Sequence, residues 1–236
     1  MKFDLSIVLP CYNEDKNIVY LYKEILRLKL NNIKVEFVFV DNGSTDKTNQ
    51  EINKIIVKSK FKKFSIKKFT IKRNEGYGGG ILYGLRKSRG KIVSWTHADL
   101  QTPLSDVIRL YKKIEKKKNF FAKGNRTNNR GFDSIVSRFH EFIASLILNC
   151  KLKEINAQPK MLERNKVPYF HNAPKKWTCL DTYFYFVSIK NKFEIITMNV
   201  IFKNRIFGKS KWKNNLSVFI KHLFHNFIYI IQLRFR

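Results

Sequence analysis

Cysteine is scarce in this 236-residue sequence, which contains only Cys11, Cys150 and Cys179. Their number is odd, their spacing is wide and no CxxC pair occurs. This pattern argues against a disulfide framework and against structural zinc, and it indicates a reducing compartment.

Long apolar runs are also missing. No stretch of about 20 apolar residues occurs, so the sequence predicts no ordinary membrane span. The apolar run near Met1 is too short and too soon interrupted for a signal peptide. The chain is nevertheless 44% hydrophobic and 14% aromatic, which predicts a folded protein with one large domain, alone or with a small appendage.

Acidic residues are few. The sequence contains 18 Asp and Glu and 47 Lys and Arg, which gives a formal net charge of +29. Nucleic acid, an anionic membrane surface and phosphorylated substrates are all compatible partners for such a chain. The basic residues are scattered and no standard nucleic-acid-binding motif occurs, so we expect no nucleic acid partner. The alternative from another functional class is a basic scaffold without catalytic activity that binds nucleic acid or a membrane.

The first hundred residues alternate between strand and helix patterns. Apolar, β-rich runs separated by stretches of helical periodicity are typical of a parallel α/β sheet. The predicted strands cover residues 5–10, 35–41, 64–71 and 91–95, with helices after residue 15, from residue 44 or 45 to 58, and after residue 80.

Polar side chains follow three of these strands, at residues 10–14, 41–46 and 97–101. Ligands of open α/β sheets bind at the carboxyl ends of the strands, so these segments are expected to meet at one edge. The third carries His97, Asp99 and Gln101, and its carboxylate and amide oxygens suit a hard divalent cation on a phosphate. A polar loop that caps the next helix is the alternative.

The second half is less regular. We predict helices over 104–118, 134–149 and 181–189, and strands over 120–125, 153–162 and 193–202. The basic loop at 126–130 is either a phosphate clamp or a mobile surface loop. The helix over 134–149 is expected to turn these apolar residues toward the core: Ile135, Phe139, Phe142, Ile143, Leu146 and Ile147.

A final amphipathic helix is predicted over residues 216–233. It either lies on a membrane surface or packs on the domain. We therefore divide the chain into a main domain, residues 1–212, and a C-terminal helical segment, residues 213–236.

The glycines at residues 76–80 lack the strict GxGxxG spacing and follow the third predicted strand, which argues against a dinucleotide-binding fingerprint. They either allow close backbone approach to a ligand or form a structural turn.

Taken together, these segments resemble family 2 glycosyltransferases with the GT-A fold. Val8-Leu-Pro-Cys-Tyr-Asn-Glu14 is similar to that family's first-strand motif, and Val40-Asp-Asn-Gly-Ser-Thr-Asp46 resembles its Asp-Asp-Gly-Ser-x-Asp motif. Arg73-Asn-Glu-Gly-Tyr-Gly79 resembles its Asn-x-Gly segment, and His97-Ala-Asp-Leu-Gln101 its Asp-Ala-Asp-Leu-Gln metal motif. The segment from Val200 to Lys211 is more loosely similar to the strand-Arg-x-x-Gly-x-Ser-Lys motif of the polyprenyl-phosphate branch, which consists of the dolichol-phosphate mannosyltransferase-like enzymes.

The resemblance implies a mostly parallel central sheet flanked by helices, and an enzyme that transfers a sugar from a nucleotide-diphosphate-sugar donor. The implied acceptor is a polyprenyl phosphate, with inversion at the sugar, and the alternative acceptor is a hydroxyl of a cell-surface glycan or lipopolysaccharide. Mg²⁺ or Mn²⁺ is the implied cofactor. The implied location is peripheral, on the cytoplasmic face of a membrane, with the anionic membrane surface as a partner.

The resemblance also implies roles for individual residues. Asp99 is expected to be catalytic and, with Gln101, to hold the metal. Asp181 is our candidate general base for a hydroxyl acceptor, with a helix N-cap as the alternative. The residues expected to border the donor are Pro10, Tyr12, Glu14, Asp41, Asn74, Gly76, His97 and Ala98. Those expected to receive phosphate charge from donor or acceptor are Arg126, Arg130, Arg205, Ser210 and Lys211.

Two residues depart from the family's pattern. Asn42 replaces the second Asp of the Asp-Asp-Gly-Ser motif, and His97 replaces the first Asp of the metal motif. Histidine binds divalent transition metals well and Mg²⁺ poorly. Three outcomes of the His97 replacement are open: the enzyme prefers Mn²⁺, it binds Mg²⁺ through Asp99 and the donor phosphates, or it has lost activity. We favour the second.

Overall fold

A computed structural model describes residues 3–59, 64–128, 131–175, 179–207 and 216–235. In these ranges seven strands form one sheet in the order β3-β2-β1-β4-β6-β5-β7. The strands are β1 (Phe3–Cys11), β2 (Val35–Asn42), β3 (Ser65–Ile71), β4 (Gly90–Trp95), β5 (Phe120–Arg126), β6 (Lys160–Glu163) and β7 (Glu194–Val200).

The sheet is mostly parallel, as predicted. β1 pairs in parallel with β2 and β4, β2 with β3, and β5 with β7. β6 runs antiparallel to both of its neighbours, β4 and β5. Because two reversals restore the direction, β5 and β7 end at the same edge of the sheet as β1, β2 and β4.

Helices cover both faces of the sheet. On one face α1, α2 and α4 pack over a core that includes Leu5, Phe37 and Met161. On the other face α3, α5, α6 and α7 enclose a second core around Trp95 and Phe184. The helices are α1 (Asp15–Arg27), α2 (Thr48–Lys58), α3 (Gly76–Lys87), α4 (Leu104–Ile114), α5 (Phe132–Leu148), α6 (Cys179–Lys190) and α7 (Leu216–Arg234), with a 3-10 helix over Arg164–Phe170.

Two predicted boundaries were wrong. The helix predicted to be capped by Ser44 or Thr45 begins at Thr48 with Lys47 as its N-cap, because Ser44 and Thr45 form hydrogen bonds with Asn13 in the preceding loop. The strand predicted over 153–162 is confined to Lys160–Glu163, because the chain before it forms a turn in which Ala157 N–H donates to the carbonyl oxygen of Glu154.

The predicted inward orientation was wrong for four of the apolar residues of α5. Ile135, Phe139, Phe142 and Leu146 have exposed fractions of 64, 67, 64 and 68%. Ala144 and Leu148 are buried in the core, and Ile147, which was predicted to face inward, packs against it. Apolar periodicity identified an apolar stripe on this helix, but the four exposed residues of that stripe lie away from the core.

Helix α7 lies where a final helix was predicted. It packs against α5 and α6, and it buries Asn226, Ile230 and Leu233. Its predicted amphipathic character is not confirmed, because Ile220 and Phe224 are exposed on its outer side. Within the described ranges no helix has both the length and the apolar character needed to cross a bilayer. The predicted division at residues 212 and 213 lies outside the described residues.

Helix α3 packs closely on the sheet at Gly84, which faces β1 and β2 without a side chain. A Cβ atom at Gly84 would stand 2.3 Å from Cγ1 of Val8 and 3.0 Å from Cγ2 of Val40. This close approach sets the height of α3 above the sheet and hence the position of its N-terminus at the carboxyl edge.

We predict that Gly84→Ala destabilises the protein by about 1–3 kcal/mol, since the overlap outweighs the higher helix propensity of alanine. Urea unfolding followed by circular dichroism measures the change. Arg86→Ala, at an exposed position two residues along the same helix, is the control and should change stability by less than about 0.5 kcal/mol. A Gly84→Ala variant as stable as the wild type would contradict the packing account.

Candidate active site

The three polar strand ends meet at one edge of the sheet, as predicted. Cys11 of β1 stands opposite Asp41 of β2, and Val8 of β1 stands opposite Trp95 of β4. The segments after these strands are therefore side by side, with β1 in the centre. Pro10 and Tyr12 are partly buried there, and Ala98 is fully buried.

Hydrogen bonds join the loop after β1 to the loop after β2. The backbone N–H of Asn13 donates to Oγ of Ser44 at 3.1 Å, and Thr45 N–H donates back to Oδ1 of Asn13 at 2.9 Å. Asn13 has a φ of 57°, a left-handed conformation that asparagine tolerates better than most residues. Glu14 N–H donates to Oγ1 of Thr48 at 2.7 Å, so the first-strand motif is fixed to the start of α2.

Asp41 and Asn42 end β2 with different partners. Asp41 is buried and accepts from the backbone N–H of Ser44 at 3.0 Å and from Nδ2 of Asn49 at 2.8 Å. Asn42 donates through Nδ2 to the carbonyl oxygen of Gly76 at 2.8 Å and accepts from Glu75 N–H at 3.1 Å. An ionised aspartate at residue 42 could accept the second bond but could not donate the first. The amide therefore has a structural use, which is to hold the N-terminus of α3 against β2.

Asn74 lies in the loop between β3 and α3, and Gly76 is the first residue of α3. Oδ1 of Asn74 accepts from the backbone N–H of Gly76 at 2.7 Å. Both residues lie beside the end of β2, because Nδ2 of Asn42 bonds to Oδ1 of Asn74 and to the carbonyl oxygen of Gly76.

Asp99 and Gln101 both face the guanidinium group of Arg205. Nη2 of Arg205 lies 2.9 Å from Oδ2 of Asp99, and its Nε donates to Oε1 of Gln101 at 3.1 Å. The other carboxylate oxygen of Asp99 accepts from the backbone N–H of Gln101 at 3.1 Å. Two residues predicted to hold a metal and one predicted to receive phosphate charge are thus in direct contact.

The oxygen atoms of Asp99 and Gln101 converge on one positive charge, which is the arrangement that a cation site requires. A carboxylate and an amide oxygen fit Mg²⁺ or Mn²⁺ that keeps several water ligands. Within the described residues no group of three or more His, Cys, Asp or Glu side chains is arranged to hold a metal. The protein therefore offers a metal few ligands of its own.

His97 is partly buried and stacks on Tyr77, with ring centroids 5.6 Å apart and an interplanar angle of 29°. Desolvation lowers the pKa of His97, which the carboxylates of Asp99 and Asp181 oppose. The neutral ring is the form that burial favours.

Asp181 lies in the first turn of α6, and both of its carboxylate oxygens accept hydrogen bonds from neighbouring side chains. Its Oδ1 accepts from Nζ of Lys160 at 2.6 Å, and its Oδ2 accepts from the Tyr77 hydroxyl at 3.2 Å. Gln158 completes this buried cluster through a 2.8 Å hydrogen bond with the same hydroxyl. Burial raises the pKa of Tyr77, with Asp181 adding to the rise, so the hydroxyl remains a donor.

Two buried lysines were not predicted from the sequence: Lys160 of this cluster and Lys123 beside it. Lys123 of β5 and Lys160 of β6 are paired across the sheet. Burial, and then the charge of Lys160, lowers the pKa of Lys123 to about 7, while its Nζ donates to the carbonyl oxygens of Gly124 and Lys153. For Lys123 the available signal was a lysine after the apolar start of a predicted strand, since such a residue needs buried acceptors.

The predicted phosphate-binding residues are dispersed. Arg126 is almost fully buried and forms an ion pair with Glu154, whereas the Arg205 side chain is about one third exposed. Asn128 joins the segment after β5 to the segment after β7 by bonds with the backbone of Phe202 at 2.8 and 3.0 Å. Arg130, Ser210 and Lys211 lie outside the described residues.

The fold is similar to that of solved glycosyltransferases. A mannosyltransferase from Pyrobaculum calidifontis, solved in complex with GDP-Man and Mn²⁺, aligns with a TM-score of 0.71 and 17% identity, over 98% of this chain and 65% of that one.

Two curated relatives are named as transferases of polyprenyl phosphates. Dolichyl-phosphate β-glucosyltransferase of Saccharomyces cerevisiae is 32% identical over 62% of this chain and 46% of its own length. Undecaprenyl-phosphate 4-deoxy-4-formamido-L-arabinose transferase of Photorhabdus laumondii is 30% identical over 63% of this chain and 43% of its own length. The chain thus spans about half the length of these curated relatives.

The family model for glycosyl transferase family 2 matches residues 6–177, which is more than half of the chain. This range includes the ends of β1, β2 and β4 and the start of α3, where the motifs of the sequence analysis meet. The chain belongs to glycosyl transferase family 2.

Proposed function

We propose that this protein transfers a sugar from a nucleotide-diphosphate-sugar to a polyprenyl phosphate of the dolichyl or undecaprenyl type. The observation that carries the proposal is the convergence of Asp99, Gln101 and Arg205 at the end of β4, beside the polar ends of β1 and β2. The family match and the names of the two curated relatives support the same reaction and acceptor class.

In this reaction a phosphate oxygen of the acceptor attacks the anomeric carbon of the sugar. The bond from that carbon to the diphosphate breaks, and the nucleoside diphosphate leaves with the electron pair. One displacement inverts the configuration, and cationic groups at the diphosphate stabilise the departing charge. A phosphate acceptor is already ionised, so this route requires no strong general base.

We assign the donor to the edge formed by β1, β2 and β4. Asp41 then meets the base or ribose, and Asn74 and Gly76 lie beside the nucleotide-sugar. Pro10, Tyr12 and Glu14 border the nucleotide, next to His97 and Ala98. Burial raises the pKa of Glu14, an effect to which Asp99 adds and which Arg205 opposes, in keeping with one shared site.

Asp99 and Gln101 are the residues that would hold Mg²⁺ or Mn²⁺. The ion supplies positive charge to the diphosphate when it is bound. With one carboxylate in this set, the donor's phosphates and water provide the remaining ligands.

For Asp181 the contacts favour a positioning role over that of general base. Both of its oxygens accept hydrogen bonds, and its side chain is 2% exposed. Through Tyr77 it fixes the ring on which His97 stacks. A phosphate acceptor, which needs no base, agrees with this arrangement.

Membrane association through α5 and α7 belongs to the same proposal. On α5 the exposed apolar residues follow spacings of four, three and four, and α7 repeats these spacings with Ile220, Phe224, Phe227 and Ile231. The two helices pack on each other, and we call the exposed apolar residues of both helices the two-helix apolar face. Exposed Arg138 and Lys221 lie on the same helices, and the +29 charge favours an anionic bilayer as the occupant.

The Asp99→Asn variant tests the metal assignment. We expect sugar transfer in Mg²⁺ or Mn²⁺ to fall by about 100-fold or more, because the amide removes the anionic ligand. Initial rates with a radiolabelled donor measure the loss. Asp4→Asn, at the opposite end of β1, is the matched control and should retain wild-type rates. Unchanged activity of Asp99→Asn would disprove the assignment.

The acceptor class is tested by extracting the labelled product into organic solvent. We expect the label to enter the organic phase when polyprenyl phosphate is supplied, because the product keeps the lipid chain. Polyprenol without phosphate is the control and should yield no labelled lipid. Label that stays in water with a glycan acceptor would favour the hydroxyl alternative.

The two-helix apolar face is tested by sedimentation with anionic liposomes. We expect Phe139→Ser combined with Phe224→Ser to reduce the bound fraction, because burial of each exposed aromatic ring contributes about 1.5–3 kcal/mol. Val57→Ser, an exposed apolar residue on α2, is the control and should bind like the wild type. Equal binding by the double variant contradicts the proposal, and a dimer dispersed by that variant would assign the face to a second copy.

A further inference from the structure

We propose that Arg205 is an exchangeable counter-ion of Asp99, which a divalent cation must displace and which then becomes available to the acceptor phosphate. The inference rests on the proposed function, because it takes the donor and its metal to bind at the end of β4. It adds a competition between two cations and an order of binding.

The competition follows from shared oxygen atoms. Arg205 contacts Oδ2 of Asp99 at 2.9 Å and Oε1 of Gln101 at 3.1 Å. Oδ1 of Asp99 is already bonded to the backbone of Gln101. A divalent cation at the free lone pairs of these oxygens would stand close to the guanidinium, and like charges at such short range repel strongly.

The segment that carries Arg205 is fixed on both sides of it. Lys203 N–H donates to the carbonyl oxygen of Gln101 at 2.8 Å, and Nε2 of Gln101 donates to the carbonyl oxygen of Lys203 at 3.1 Å. Beyond Arg205, the ring of Phe207 packs on Tyr20 of α1 with centroids 5.1 Å apart. Release of Arg205 therefore requires a change of its side chain, with the backbone held in place.

The side chains of Asp99 and Arg205 differ in solvent exposure, and the more exposed one is the one that can move. The Asp99 side chain is 5% exposed and the Arg205 side chain is 32% exposed. An arginine side chain has several rotatable bonds and reaches solvent or a neighbouring phosphate without a backbone shift. Arginine also pairs with phosphate oxygens in a bidentate geometry. Donor and metal therefore bind first, and the acceptor phosphate follows.

Binding of Mn²⁺ alone, followed by electron paramagnetic resonance of the free ion, tests the competition without any turnover. The proteins compared are the wild type, Arg205→Gln, Lys203→Gln and Asp99→Asn. Lys203→Gln is the matched control, because it removes one exposed positive charge two residues away while its backbone bonds to Gln101 remain.

We expect Arg205→Gln to bind Mn²⁺ at least about 5-fold more tightly than the wild type, which is the lower end of coupling between linked sites. Lys203→Gln should change the affinity by less than about 2-fold, since a charge in water is largely screened. Asp99→Asn should lose saturable binding. Circular dichroism checks that each variant is folded.

Equal or weaker Mn²⁺ binding by Arg205→Gln, relative to Lys203→Gln, would overturn the competition. The order of binding has its own readout, because Arg205→Gln should raise the KM for lipid phosphate more than the KM for the donor, and the reverse would refute it. Failure of the proposed function can be distinguished from failure of the competition. If the variants bind Mn²⁺ as expected but the protein transfers no sugar, the competition is supported and the proposed function is not. No Mn²⁺ binding by any of the four proteins would overturn the competition. It would leave the proposed function to the transfer assay, in which the donor's phosphates complete the metal site.

Discussion

Parallel pairing of β2, β1 and β4 is the constraint on which the rest of the site depends. Side-by-side strands in one direction must end at the same edge, so three polar segments far apart in sequence become neighbours. The register places Cys11 against Asp41 and Val8 against Trp95. Gly84 then lets α3 approach this sheet closely, and Asn42 fixes the start of that helix to β2.

Charge within the site is balanced by pairs. Asp99 faces Arg205 at the edge of the sheet, and Asp181 faces Lys160 in the interior. The buried pair is costly to separate, because either partner alone would be an uncompensated charge away from water. The partly exposed pair is weaker and can exchange its cation. This difference gives the interior pair the task of holding the cluster around Tyr77 and leaves the outer pair free to respond to ligands.

The sequence predicted the sheet and the place of the site, because strand pattern and polar strand ends are local signals. It could not predict that Arg205 meets Asp99, since the segment after β7 is brought to β4 by the order of strands. It gave the wrong exposure for Phe139, because apolar periodicity identifies a face of a helix but not what covers it. Lys160 was missed for a related reason, as its carboxylate partner comes from a distant helix.

The central claim is that this edge of the sheet binds the diphosphate of a nucleotide-sugar. Isothermal titration with uridine and guanosine nucleotides, each as mono- and diphosphate and each with and without Mn²⁺, tests it most directly. The account predicts that for at least one base the diphosphate with Mn²⁺ binds about 10-fold or more tightly than the monophosphate, a difference of about 1.4 kcal/mol. Equal affinities for monophosphate and diphosphate, unaffected by Mn²⁺, would contradict it.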